Sequence, residues 1–114
     1  MQRHDTLSID DIRTRTTDVL RRYDVQRAIL FGSFARGEAS RHSDVDLLLV
    51  KETDERFLDR ARGLLEELAA RLPLYDVDVL VYTPAELRTL RDRPFFRSVL
   101  SEGIVLYEPE QTTA

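Results

Sequence analysis

The order of elements along the chain predicts a single α/β domain (equally describable as α+β). Short apolar runs of strand length, bounded by turn residues, recur at Gln26 to Phe31, Asp44 to Val50, Tyr75 to Tyr82 and Ile104 to Tyr107. Between and around them lie stretches whose apolar residues repeat at helical spacing. Together these give the order αβαβαβαα with a final strand.

Ser8 is placed to N-cap the first helix, with Asp10 and Asp11 in its first turn. Ile9, Ile12, Thr16, Val19, Leu20 and Tyr23 then recur on one face. After the first strand, Gly32-Ser33 is expected to open a short helix that ends at Gly37, and a polar loop reaches Ser43. Phe57, Leu58, Ala61, Leu64, Leu65, Leu68 and Leu72 form one stripe, which predicts an amphipathic helix from about Asp54 to Leu72, closed by Pro73. Thr83-Pro84 starts another short helix, and Pro94 marks the break before one around Phe95 to Ser101. Gly103 is a natural C-cap. Residues 1–107 are read as one domain, and Glu108 to Ala114 as a polar, frayed tail.

Composition narrows the function classes. At 114 residues the chain is expected to hold one core and no second substrate-binding domain. It contains no cysteine, which excludes a disulfide framework, a thiol nucleophile and a Cys-based zinc site. Met1 to Ile9 lacks the apolar core of a signal peptide, and no run approaches the ~20 residues needed to span a bilayer, so a cytoplasmic location is expected. A net charge of −4 argues against a protein that coats nucleic acid, and no aromatic-basic platform for single strands is visible. Sixteen of the seventeen basic residues are Arg, scattered along helices among acids, which reads as composition bias.

The chemistry concentrates between Phe31 and Val50. A glycine-serine turn at the end of a strand offers backbone N–H groups to an anion. Asp44 and Asp46, two residues apart at the entrance to a strand, present both carboxylates on one face because side chains alternate. The following run, Leu47 to Val50, is continuously apolar, as in a strand covered on both faces. Acids leading into such a strand are costly to desolvate unless a cation answers them. One element suits phosphate and the other a hard divalent cation, which together indicate metal-nucleotide chemistry. Asp76 and Asp78 share a strand face and are both candidates for a third carboxylate. Arg36 is placed either to reach a phosphate or to form an ion pair with a nearby acid. His42 is read as a solvated loop residue, and Tyr75 and Tyr82 as packing residues.

Gly32-Ser33-Phe34-Ala35-Arg36-Gly37 and Ser43-Asp44-Val45-Asp46-Leu47 resemble the signature of the DNA polymerase beta-type nucleotidyltransferase superfamily, and more closely that of its minimal nucleotidyltransferase (MNT) family. The resemblance is sharpest over Ile29 to Val50 and extends through Asp76-Val77-Asp78 to Ile104–Tyr107. It implies a small mixed sheet with helices packed largely on one side. It favours Asp78 over Asp76, because members carry an acid leading a short apolar run, here Val79-Leu80-Val81. It further implies that Asp44, Asp46 and Asp78 hold two Mg²⁺ ions, about 3.5–4 Å apart in such sites, and that Gly32, Ser33 and Arg36 bind the nucleotide, ATP.

In the MNT family the inferred activity is transfer of AMP from ATP to a tyrosine hydroxyl of a HEPN-domain ribonuclease toxin, which neutralises it. The expected function is therefore that of an adenylyltransferase antitoxin with a HEPN toxin as partner. The expected lack of an acceptor-binding domain agrees, since a folded partner brings its own docking surface. Residues Leu87 to Leu100, including Phe95 and Phe96, are the expected contact points. The alternatives are an antitoxin acting by binding alone, and a stand-alone enzyme modifying a small molecule or RNA.

Overall fold

The computed structural model describes residues 6–40 and 42–109, so residues 110–114 of the expected tail lie outside the described residues. Helix α1 spans Ile9–Arg22, strand β1 Arg27–Phe31, β2 Val45–Val50, helix α2 Leu64–Arg71, β3 Val77–Tyr82, helices α3 Pro84–Leu90 and α4 Pro94–Glu102, and β4 Ile104–Tyr107. The sheet is mixed, in the order β3-β2-β1-β4. β1 runs antiparallel to both neighbours, whereas β2 and β3 are parallel and are joined by the α2 crossover.

Helix α1 starts where the capping chemistry places it. The Asp11 N–H donates to Ser8 Oγ at 3.0 Å and the Ser8 N–H donates to Asp11 Oδ2 at 3.1 Å, a reciprocal capping box. Its buried face, Ile12, Thr16, Val19 and Leu20, packs with Leu64, Leu68 and Leu72 against Ala28, Leu30, Leu47, Leu49 and Leu106 of the sheet. A polar clamp ties the two helices together: Arg71 donates to both Asp18 carboxylate oxygens at 2.7 and 2.8 Å. Tyr23 donates to Glu67 at 2.6 Å.

The opposite face of the sheet carries a second cluster, which corrects the expectation that the helices lie largely on one side. Ile29, Leu48 and Val50 are covered by Phe96 and Val99 of α4, flanked by Leu87, Leu90 and Leu100. Leu47 to Val50 is therefore apolar throughout because both faces of β2 are packed. Phe96, expected as a partner contact, is only 7% exposed and belongs to this core, whereas Phe95 is 45% exposed.

The helix expected from Asp54 to Leu72 is also corrected. Phe57–Asp59 forms only a 3₁₀ turn, and α2 begins at Leu64. Gly63 interrupts the stripe at φ +79°, a left-handed conformation that removes it from any continuous helix. Upstream, Arg60 is nearly buried and turns inward, donating to the carbonyls of Glu55 and Val81 at 3.0 and 3.2 Å. It also pairs with both oxygens of Glu86 at 2.7 and 3.0 Å. Glu86 in turn completes the capping box of Thr83 at the start of α3. Leu58, at the outer end of the apolar stripe, is left 89% exposed. None of the described helices is long and apolar enough to cross a membrane.

The Arg60–Glu86 pair makes a pH-dependent contribution to stability. Hydrogen bonds from Arg60, followed by that from the Thr83 backbone, hold the Glu86 carboxyl down at about 2 against an ordinary 4.5. A depressed folded-state value means the contribution is fully present above about pH 4.5 and is lost as pH falls toward about 2. Glu86→Gln is expected to lower stability by about 1–2 kcal/mol at pH 7, moderated by the partial exposure of Glu86. Urea denaturation of both proteins between pH 7 and pH 2.5 checks this, the two curves converging at the acid end.

Candidate active site

The turn after β1 brings backbone up to the carboxylates. Gly32 has φ +78°, and a Cβ at that position would collide with Asp46 Oδ2. Glycine is therefore required twice over, for the left-handed backbone and for the close approach. The expected short helix over 32–37 is instead a set of hydrogen-bonded turns, in which Arg36 N–H donates to Gly32 O at 3.1 Å and Glu38 N–H to Ser33 O at 2.9 Å. Phe34 anchors the turns: it is buried in the first core cluster and meets Tyr75 edge-on at a centroid distance of 5.6 Å.

The acids arrive from two parallel strands. Asp46 is aligned with Asp78 in the β2–β3 register and with Phe31 across β1. Asp44 stands just before β2, at the end of a loop in which Ser40 N–H donates to Ser43 Oγ at 2.8 Å. One carboxylate oxygen from each of Asp44, Asp46 and Asp78 lies within 4.8 Å of the others. Asp46 is partly buried, and its carboxyl is pushed above the usual range first by that burial and then by the charges of Asp78 and Asp44, with Arg36 opposing.

Asp76 is not in this cluster. Its carbonyl accepts from Val45 N–H at 2.8 Å, and the residue lines a separate cavity with His42, Ser43 and Tyr75. Of the two acids that strand parity left open, the structure brings Asp78 and not Asp76 beside Asp44 and Asp46. Arg36 pairs with Glu38 at 2.9 Å, the second of its two expected readings, while its charge still acts on Asp46. His42 is exposed. Tyr75 accepts from Leu7 N–H at 3.1 Å, and Tyr82 packs on Phe57 and Phe96, so both serve in packing.

A cleft of about 420 Å³ adjoins the acids, and Asp46 and Asp78 share its lining with Phe31, Leu80 and Phe95. Phe31 and Phe95 meet edge-on at 5.7 Å. Of this apolar wall the sequence pointed only to Phe95, as a partner contact, and not to Phe31 or Leu80. The signal was present, since Phe31 precedes Gly32 directly and Leu80 lies two residues beyond Asp78, on the same strand face.

The donor set fits a hard divalent cation. Such ions take carboxylate oxygens at ~2.0–2.6 Å, and the three aspartates offer one oxygen each within 4.8 Å of the others. With the left-handed turn at Gly32 beside them, the site combines a cation pole with backbone suited to phosphate.

Comparison with known proteins identifies the family. Residues 15–112 match the family described as "Polymerase beta, Nucleotidyltransferase". A Methanocaldococcus jannaschii protein named a putative protein adenylyltransferase is 35% identical over 100 residues, spanning 86% of this chain and 97% of its own length. A solved structure described as a putative minimal nucleotidyltransferase is 35% identical with a TM-score of 0.62, over 86% of this chain and 95% of that one. At the level of fold alone, the chain is also similar to one chain of a solved structure described as a tri-AMPylated Shewanella oneidensis HEPN toxin in complex with MNT antitoxin, at 20% identity and a TM-score of 0.57, over 88% of this chain and 72% of that one. The match across most of its length places this chain in the polymerase beta-type nucleotidyltransferase family of enzymes.

Proposed function

We propose that the chain is a Mg²⁺-dependent protein adenylyltransferase that transfers AMP from ATP to a tyrosine hydroxyl of a HEPN-domain ribonuclease toxin, and so acts as its antitoxin in the cytoplasm. The observation that carries this reading is the cluster of Asp44, Asp46 and Asp78 pressed against the Gly32-Ser33 turn. The adenylyltransferase name of the M. jannaschii relative supports the reaction, and the HEPN toxin in the S. oneidensis complex supports the acceptor.

In this reading Gly32 and Ser33 receive the triphosphate through backbone N–H groups and the Ser33 hydroxyl, and Arg36 exchanges Glu38 for a phosphate oxygen. Asp44, Asp46 and Asp78 hold Mg²⁺, which supplies charge neutralisation at the phosphates. The acceptor oxygen attacks the α-phosphorus, the bond to the pyrophosphate oxygen breaks, and the hydroxyl proton passes to Asp78. The wall of Phe31, Leu80 and Phe95 beside Asp78 suits an aromatic acceptor ring, and an edge-to-face contact there favours a phenol over a small aliphatic alcohol.

Asp46→Asn removes a ligand charge and keeps volume. It is expected to lower AMP transfer by at least about a hundredfold, the scale on which losing one charge-stabilising group acts. Because burial, and then repulsion from Asp78 and Asp44, raise the Asp46 carboxyl, its ionised form opposes folding at neutral pH. The melting temperature without metal should therefore hold or rise in Asp46→Asn, while the stabilisation of the wild type by Mg²⁺ should shrink. A melting temperature that falls, or labelling at the wild-type rate, overturns the assignment.

Asp78 separates enzyme from binder. The Asp78→Asn protein, co-expressed with a HEPN-domain toxin that the wild type modifies, is expected to form the complex, leave the partner mass without AMP increments and leave cells unprotected. Full protection without modification would replace catalysis by neutralisation through binding. Asp76→Asn, outside the cluster, should retain activity, and the reverse pattern would make Asp76 the third carboxylate.

A further inference from the structure

The far end of the same sheet face carries a groove that the chemistry does not use. Arg27, Val50, Pro84, Leu87, Arg88, Arg91 and Leu100 line an open cavity of about 440 Å³ between β1, β2, α3 and α4. Arg27 is the register partner of Val50, four residues along β2 from Asp46, which sets the groove about 13 Å from the acids at ~3.3 Å per residue. Pro84, Leu87, Arg88 and Arg91 fall on one stripe of α3 and its end, at helical spacing.

Charge and apolar surface are combined here in a particular way. Arg88 and Arg91 are exposed, and among the described residues neither has an acidic partner. Arg27 Nε is buried without a hydrogen bond, although the Glu108 carboxylate lies 3.5 Å away as an ion pair. Three guanidinium groups thus surround a floor of Val50, Leu87, Leu100 and Pro84. Guanidinium forks select carboxylate or phosphate. The aliphatic floor offers no ring on which a nucleobase could stack, and the net charge of −4 disfavours a long polyanion.

We propose that this groove docks an acidic, leucine-rich segment of a partner protein, with carboxylates on Arg27, Arg88 and Arg91 and aliphatic side chains on the floor. The choice of a protein as occupant rests on the reading of the chain as a protein-modifying enzyme. Such a surface holds the acceptor protein at a distance from the transfer site, so that affinity and chemistry are set by separate residues.

The test is fluorescence anisotropy on the full chain, with a labelled helical peptide of Leu and Glu and the same peptide with Gln for Glu. The Glu peptide should bind at least about fivefold tighter than the Gln peptide, and weaken about tenfold in Arg88→Glu/Arg91→Glu. Arg93→Glu/Arg97→Glu makes the same change in net charge outside the groove and should leave binding within about twofold of wild type. Equal binding of the two peptides, no binding, or equal loss in both double variants overturns the proposal. Displacement of the peptide by low-millimolar inorganic phosphate, or tighter binding of a single-stranded RNA at the same arginines, overturns it in favour of a free anion or RNA. Asp44→Asn should bind the peptide normally. If peptide binding stands while no protein receives AMP, the functional reading falls alone. If the HEPN partner is labelled with unchanged KM by Arg88→Glu/Arg91→Glu, the groove falls alone.

Discussion

Aligning β2 with β3 in parallel sets Asp46 beside Asp78, and the rest of the fold holds together two carboxylates that repel one another. The hold is apolar. Below the acidic row, Leu47 to Val50 are buried on both faces, and slipping the register by one residue would drive an acid into one core and a leucine into solvent. The α2 crossover imposes the parallel pairing, and Leu64 and Leu68 fasten it to the first cluster. Core packing at the middle of the strands therefore sustains electrostatic strain at their ends.

The same constraint explains the turn at Gly32. The Asp46 carboxylate lies where a Cβ at residue 32 would be, so backbone and acid occupy one small volume. Burying Phe34 draws the turn inward against this crowding. A cation between the acids would relieve both strains at once, and a site stabilised by its own ligand leaves the metal-free protein with its least favourable contacts where binding occurs.

Much of this was legible in the residues because local rules and tertiary packing agree. The capping boxes at Ser8 and Thr83, the four strands and the Pro94 break all appear where turn and cap chemistry puts them. The reading failed where periodicity outran backbone. Phe57, Leu58 and Ala61 keep helical spacing, yet Gly63 breaks the helix and Arg60 leaves it to meet Glu86, a contact between residues far apart in sequence that no local pattern encodes. That both faces of β2 are covered was legible in Leu47 to Val50, but which helices cover the second face was not, for a related reason. Short apolar stretches in α3 and α4 do not reveal which side of a sheet they cover, and Phe95 and Phe96, adjacent in sequence, end with opposite exposure.

At the site the distinction is between type and partner. Period two put Asp76 and Asp78 on one face but could not say which of them meets Asp46, because that depends on the offset between two strands separated by α2. The register answers it: Asp78 aligns with Asp46, while Asp76 precedes β3 and uses its carbonyl to start the ladder. For the arginines, composition and position are separate matters. Scattered among acids in sequence, they read as bias, yet folding sorts them. Arg71, Arg22 and Arg60 find carboxylates that fasten helices and loop, whereas Arg27, Arg88 and Arg91 converge on one groove. Net charge is a sum and carries no position, so a chain of charge −4 can present an acidic pole and a basic pole at the two ends of one sheet face. A partner engaging both poles would be oriented by the field before contact, with the acceptor side chain directed to the end where the aspartates lie.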